Sequence, residues 1–386
     1  MKIICSTNMP YAEQAFRTLG DVKVLAPQAI TPEQVRDVDL LAVRSTTRVG
    51  RALLEGSRVR FVGTATIGWD HLDTDYFAKT GITWCTAPGC NANSVSEYLV
   101  AALLCLGRRH AWNIKGKTIG VIGIGNVGGC FVQKARALEM TVLQNDPPRY
   151  DATGDAMFSS LDKVLADSDI ITLHVPLTKT GPYPTLHMAD RRFFERMKPG
   201  AVFINAARGG VVDSVDLIAA LDQGRVAHAV LDTWEGEPAF RTDVLEKIDL
   251  GTPHIAGHSF EGKVTGTVMV YQEACRFLGV PSTWTPDALL PPSRVPEIRL
   301  EVGTRPVEML MEDVVRQVYD IEADDRHLRE MTQADPAQRA KGFEQLRNNY
   351  PIRREFHFTR VVLSSPSSAL ETNLRGLGFE VVVSPS

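Results

Sequence analysis

Short apolar runs alternate with helix-sized segments along most of this chain, and that alternation limits the folds open to it. Residues 2–5, 22–25, 40–43, 61–63 and 82–84 read as strands, and residues 11–19, 32–35, 51–54 and 76–79 as the helices between them. A second series follows, with strands at 118–122, 141–144, 170–175, 201–205 and 229–231 and a long helix at 260–278. Strands separated by helices run parallel, because a parallel pair needs a crossover, and a parallel sheet is covered on both faces. Between the two series, Ser94-Val95-Ser96-Glu97 has the S-x-x-E spacing of a capping box, which predicts a helix from there to about Gly107.

Composition narrows the class. The 386 residues are 44% hydrophobic and 23% charged, which is the balance of a folded globular chain and not a disordered one. Forty-two basic against forty-six acidic side chains leave a net charge of −4 with no basic block, so no nucleic-acid partner is expected. The apolar run at 99–106 is far short of the roughly 20 residues of a bilayer span, so no membrane association is expected either. Met1-Lys2-Ile3-Ile4-Cys5 leads directly into a strand and not into a signal peptide, which points to the cytoplasm. The six cysteines form no C-x-x-C pair and have no accompanying histidine cluster, so scattered reduced thiols and no metal are expected.

Gly123-Ile124-Gly125-Asn126-Val127-Gly128 is a G-x-G-x-x-G segment placed between a predicted strand and a predicted helix. The pattern alone is weak, but that context gives each glycine a task. Gly123 permits a tight turn, Gly125 lets the backbone approach a pyrophosphate, and Gly128 lets the helix pack closely on the sheet. Free N–H groups at the helix start, at Asn126 and Val127, would meet phosphate oxygens. Asp146 lies about twenty residues on, where a carboxylate accepts from the adenosine ribose hydroxyls and repels a 2′-phosphate, so NAD is favoured over NADP. The plainer alternative for Asp146 is a turn-forming acid ahead of Pro147-Pro148.

Three later segments each place a charged group just beyond a strand: Arg208 in Asn205-Ala206-Ala207-Arg208-Gly209-Gly210, Glu237 in Trp234-Glu235-Gly236-Glu237-Pro238, and His254 in Pro253-His254-Ile255-Ala256-Gly257. Ligands of open α/β sheets bind outside the carboxyl ends of the strands, so these groups are candidates for one site. Oxidation of a 2-hydroxy acid needs a base for the hydroxyl proton, and a histidine suits that work. A carboxylate orients the ring, and an arginine fork takes the substrate carboxylate and the developing carbonyl. Taken singly, each has a plain reading: a core histidine, a surface acid and a loop cation.

These segments together resemble the D-isomer-specific 2-hydroxyacid dehydrogenase family over about residues 1–280. Val43-Arg44-Ser45-Thr46, the stretch 61–71, Ala87-Pro88-Gly89-Cys90-Asn91-Ala92-Asn93 and Ser259-Phe260-Glu261-Gly262-Lys263 extend the likeness to members acting on a phosphorylated hydroxy acid. The resemblance implies an α/β fold of two Rossmann-like doubly wound domains with a cleft between them, plus a small α/β C-terminal dimerisation domain. The implied division is 1–92 with 258–286 for substrate, 93–257 for NAD and 287–386 for homodimer formation. Arg208 and Glu237 carry over as active-site residues and His254 as the acid/base. Asp146, Val175, Ala206, Ala207, Asp232 and Gly257 carry over as NAD contacts, and Ser45 and Thr66 as substrate contacts. Arg44 is a candidate phosphate ligand beside them. His258 stands where such members have a tyrosine that contacts substrate. Other readings are a phosphoglycerate- or hydroxypyruvate-type enzyme of the same family, or a non-catalytic NAD-sensing corepressor.

The remainder is not a floppy end. Pro281, Pro286, Pro291, Pro292 and Pro296 mark a linker, after which strands at 298–302, 356–363 and 379–383 and helices at 306–319, 336–348 and 368–376 are expected. That order differs from the β-α-β-β-α-β regulatory modules found on related dehydrogenases. A small sheet with an apolar face is most simply covered by a second copy. Arg347, Arg353 and Arg354 flank Tyr350-Pro351 and read as a solvated face, or as a group of which one reaches the partner's cleft to help bind phosphate.

Overall fold

The computed structural model describes residues 1–286 and 289–384. The chain divides into two compact units, Met1–Asn91 with Ser259–Pro291, and Ala92–His258 with the chain from Pro292 onward. The linker boundary expected at 286/287 meets Asp287 and Ala288, which lie outside the described residues.

The first unit is a five-stranded parallel sheet of β1 (Lys2–Ser6), β2 (Asp21–Leu25), β3 (Leu40–Val43), β4 (Phe61–Thr64) and β5 (Thr83–Cys85), in the order β2-β1-β3-β4-β5. The crossovers are α1 (Ala12–Phe16), α2 (Pro32–Val35), α3 (Arg51–Leu54) and α4 (Thr74–Thr80). The central strands β3 and β4 are buried at every residue, as a sheet covered on both faces requires. One face packs on Val270, Tyr271, Ala274 and Cys275, and the other on Val35, Leu53, Leu54 and Phe77.

The second unit begins with α5 (Ala92–His110), which is buried along most of its length. The capping box expected there is a misreading. The helix starts two residues earlier, and Ser94 and Glu97 bind the C-terminal segment instead. Ser94 Oγ donates to Glu355 at 2.9 Å, and Glu97 accepts from the Phe356 N–H at 3.0 Å. A parallel sheet follows, formed by β6 (Thr118–Ile122), β7 (Thr141–Asn145), β8 (Ile170–Leu173), β9 (Ala201–Asn205), β10 (Val226–Leu231) and β11 (Leu250–Gly251). Its order is β11-β10-β9-β8-β6-β7. The crossovers are α6 (Asn126–Ala137), α7 (Pro147–Thr153), α8 (Leu161–Asp167), α9 (Arg191–Arg196), α10 (Ser214–Asp222) and α11 (Thr242–Lys247). The helix α12 (Phe260–Leu278) returns to the first unit.

The C-terminal segment has its own parallel sheet, β12-β13-β14, of Glu297–Leu300, Arg360–Leu363 and Glu380–Val383. Its helices are α13 (Val307–Val318), α14 (Ile321–Thr332), α15 (Pro336–Asn348) and α16 (Ser368–Leu377). The strand expected at 356–363 is shorter, because Phe356–Phe358 forms a 3-10 turn. The helix α14 had an unheeded signal in Asp320, whose side chain accepts from the Glu322 and Ala323 N–H groups and so caps it.

This segment joins the core of the second unit. Ile298, Leu300, Leu310, Val361, Leu370 and Leu374 share one apolar cluster with Tyr98, Leu99 and Leu103 of α5. The helices α13 and α14 pack on α5, and α16 packs on α6. The tail arginines do not form a solvated face: Arg353 is 7% and Arg354 4% exposed. At the junction, Asn93 Nδ2 bridges Glu97 and Glu355 at 3.0 and 2.6 Å. Burial and the neighbouring Glu355 push the Glu97 carboxyl up to about 8. The folded state therefore favours the protonated acid. That contribution to stability is full below the ordinary glutamate range, declines as pH rises through about 8, and then levels off. Melting curves from pH 5 to 9 should fall across this window and should flatten in Glu97→Gln. An unchanged slope in the variant would remove Glu97 as the cause.

Candidate active site

The fingerprint turn leaves β6 where the strand order reverses between β7 and β8, the position at which open α/β sheets bind ligands. Gly123 has φ +90°, and a Cβ on it would sit 2.7 Å from the His174 carbonyl. A Cβ on Gly128 would come within 2.0 Å of the Gly123 carbonyl oxygen, so the first turn of α6 lies directly on the loop. A Cβ on Gly125 would meet nothing within 4 Å. That open face borders a helix start capped by no side chain, and Val175, just past β8, lies against the Gly123 turn. Asp146 follows β7, and its carboxylate accepts from the Ile124 N–H at 2.8 Å and from the Arg149 N–H at 3.1 Å. The plainer reading of Asp146 is thus also present, since it caps α7, and the same bonds fix its carboxylate beside the glycine turn. An open backbone face, an uncapped helix start and a held carboxylate fit a dinucleotide.

The Arg208 loop is held from within. Asn205, buried at the end of β9, accepts from the Ala207 N–H and donates to the Arg208 carbonyl, each at 3.0 Å. A Cβ on Gly209 would come within 2.0 Å of the Trp234 carbonyl, so the Arg208 loop lies on the loop that carries Glu237. The Trp234 indole N–H donates to the Thr252 carbonyl at 2.9 Å, which ties in the His254 loop as well.

Glu237 and His254 meet directly, with Nδ1 and Oε1 2.5 Å apart, and the other carboxylate oxygen accepts from the Trp234 N–H at 3.1 Å. Burial alone would raise the Glu237 carboxyl. The His254 charge and hydrogen bond, the Arg347 charge and the Trp234 N–H outweigh it and hold the carboxyl below its ordinary value. His254 has φ +56°, a left-handed conformation uncommon for a residue with a side chain. It is held there by its N–H bond to the Asp232 carbonyl at 2.7 Å. The Asp232 carboxylate is buried and accepts from Thr252 Oγ1 at 2.6 Å, the Ile255 N–H at 2.7 Å and the Ala256 N–H at 3.0 Å. Burial pushes its carboxyl up despite those bonds and the His254 charge. Asp232 thus orders the loop bearing His254, Ala256 and Gly257, a job that sequence spacing did not reveal. His174, just past β8, is pushed down to about 3 by loss of hydration around its ring, which leaves it a poor proton acceptor.

His258 follows the same loop with its ring edge-on to Tyr350 at 5.8 Å. Within the first unit, Val43 and Thr64 are register partners, so Arg44 and Ser45 emerge beside Thr66 at the carboxyl ends of β3 and β4. Ser45 is exposed, and Thr66 Oγ1 donates to the Gly68 carbonyl at 2.9 Å. Thr64 Oγ1 lies 2.9 Å from His71 Nε2, a neighbour the sequence reading did not single out.

Residues 106–256 match the NAD-binding domain of the D-isomer specific 2-hydroxyacid dehydrogenases, and residues 289–378 match a domain family of unknown function. The chain is 43% identical to an erythronate-4-phosphate dehydrogenase of Edwardsiella ictaluri over 99% of this chain and 100% of that one. It is 41% identical to the protein of that name from Cronobacter sakazakii over the whole of both chains. Among solved structures, the NAD-bound 3-phosphoglycerate dehydrogenase of Entamoeba histolytica superposes with TM-score 0.62 at 22% identity, covering 72% of this chain and 95% of that one. An NAD complex of Staphylococcus aureus formate dehydrogenase superposes with TM-score 0.60 at 22% identity, over 72% and 96%. At that identity the structural likeness speaks for the fold alone.

Proposed function

The chain belongs to the erythronate-4-phosphate dehydrogenases of the D-isomer-specific 2-hydroxyacid dehydrogenase family, and from that membership we propose its reaction and the residues that perform it. It oxidises 4-phospho-D-erythronate to (R)-3-hydroxy-2-oxo-4-phosphooxybutanoate, a step of pyridoxal 5′-phosphate synthesis. NAD, when bound, accepts the hydride from C2. The observation that carries the reading is the direct Glu237–His254 pair on loops adjoining the Arg208 loop.

In this reading the neutral His254 takes the C2 hydroxyl proton through Nε2, because Nδ1 faces Glu237. Glu237, ionised and held by the Trp234 N–H, steadies the imidazolium that results. Arg208 takes the substrate carboxylate and the oxygen that becomes the ketone. Gly123, Gly125, Asn126, Val127, Gly128, Asp146, Val175, Ala206, Ala207, Asp232 and Gly257 belong to the NAD-binding surface, and Arg44, Ser45, Thr66 and His258 to substrate binding. The enzyme works in the cytoplasm as a homodimer; among the described residues no helix is long and apolar enough to cross a membrane. Met309 and Ile352 are large exposed apolar side chains of the C-terminal segment, suited to a partner surface. A single-chain mass by light scattering would reject the dimer.

NADH formation should be much faster with 4-phospho-D-erythronate than with 3-phosphoglycerate or lactate at equal enzyme. A preference for phosphoglycerate would replace this reading with its nearest rival, and inactivity on all three would favour a corepressor. NAD should outperform NADP, and Asp146→Ala should narrow the gap by about tenfold or more through loss of repulsion at the 2′-phosphate. Arg149 adds to that effect, since its guanidinium donates to the carbonyl of Ile124, whose N–H is bound by Asp146, and offers a cation to a 2′-phosphate once that carboxylate is gone. Equal use of both cofactors by the unmodified enzyme would reject the role of Asp146.

A further inference from the structure

The segment from Phe343 to Arg353 lies along the two loops that hold the catalytic pair of its own chain. The Phe343 ring is 5.6 Å from Phe240, which lies 4.3 Å from Trp234 at the head of the Glu237 loop. Tyr350 meets His258 edge-on, and Arg353 Nη2 donates to the Ala256 carbonyl at 2.5 Å. Between these anchors stands Arg347, half-buried, its guanidinium 6.0 Å from the Phe343 ring centre. Its Nε is buried without a hydrogen-bond partner, and no carboxylate pairs with it among the described residues. Its charge nevertheless reaches Glu237.

A guanidinium on a segment packed along the loops of the catalytic pair, with no carboxylate paired to it among the described residues, has capacity left for an anion. The substrate proposed above carries such an anion close to the reacting carbon, since C4 is two bonds from C2 and the phosphorus lies within about 5 Å of it. When the C2 hydroxyl reaches His254, a phosphate with nearly two negative charges approaches Glu237. That approach is favourable only with a cation at hand. Arg208 is engaged with the carboxylate end. We propose that Arg347 is a phosphate-binding residue of the active site in its own chain, and that the C-terminal segment is part of the substrate site. The proposal rests on the phosphorylated substrate assigned above.

The test uses the full chain with Arg347→Gln and Arg347→Lys. Two readouts are taken: rates with 4-phospho-D-erythronate and with D-erythronate, and calorimetric binding of inorganic phosphate to the NADH complex. For Arg347→Gln the KM for the phosphorylated substrate should rise about tenfold or more, and phosphate binding should weaken to a similar extent. The kcat/KM for D-erythronate should fall by a clearly smaller factor, since the Arg347 charge also bears on Glu237, and Arg347→Lys should recover part of the loss. Equal losses on both substrates, or unchanged phosphate binding, would overturn the proposal. If the unmodified enzyme ignored 4-phospho-D-erythronate, the assigned reaction would fall, and the phosphate titration would still decide the role of Arg347.

Discussion

His254→Ala should slow hydroxy-acid oxidation by about 10²- to 10⁴-fold and leave NADH binding nearly unchanged. The ring lies beside the fingerprint-bearing sheet without contributing to the glycine turn, so its loss removes the proton acceptor and spares the nucleotide surface. Glu237 is held below its ordinary carboxylate value and stays ionised across neutral pH, so its charge is present when the imidazolium forms. Glu237→Gln removes the charge that steadies the imidazolium, and the maximal rate should fall. Near-normal turnover in His254→Ala would end the proposed chemistry. An unchanged maximal rate in Glu237→Gln would confine Glu237 to holding its loop.

A chain cut after Pro286 should fail to fold its NAD-binding half. A tail that served dimer formation alone would leave, when removed, a monomer that still binds NADH. The packing argues otherwise. Removing the C-terminal segment uncovers Tyr98, which lies 6.4 Å from the Tyr319 ring, and Leu103 and Leu106 within the shared cluster. Large side chains lose about 1.5–3 kcal/mol each on exposure, against a total domain stability of about 5–15 kcal/mol. Polar ties are lost too. Lys134 of α6 donates to the Leu377 carbonyl at 2.5 Å, Asp325 accepts from the Gly251 N–H at 2.8 Å, and Arg329 caps the carbonyls of Leu245 and Ile248. The shortened chain should be insoluble or melt more than about 10 °C below the full chain, with no NADH fluorescence enhancement. Full NADH affinity at an unchanged melting temperature would show that the tail is only a docked module.

The alternation of strands and helices, the parallel sheets and the glycine fingerprint were legible because they depend on local pattern: period, turn chemistry and the need for small residues. The Arg208, Glu237 and His254 segments were legible because each follows a strand. The errors arose where a local signal was overridden from far along the chain. Ser94 and Glu97 have the spacing of a helix cap but serve Glu355 and Phe356, more than 250 positions away. Arg353 and Arg354 look like a surface pair in sequence, yet Arg353 stacks 4.3 Å from Tyr319 and Arg354 3.9 Å from Phe358. Asp232 has a second task besides the cofactor contact expected of it: its hydrogen bonds to the His254 loop become visible only with β10 and the following loops in place.

The contact between Gly209 and the Trp234 backbone limits how such an enzyme can diversify. With no room for even a methyl group there, the Arg208 and Glu237 loops behave as one rigid block, and Trp234 extends that block to the His254 loop. A substitution that shifts one member of the trio shifts the others, so gradual change within the block is heavily penalised. A new substrate range has to be gained from segments outside it, such as the loops after β3 and β4 and the stretch from Phe343 to Tyr350. The chemistry is then the inherited constant of the lineage, and substrate choice is its adjustable part.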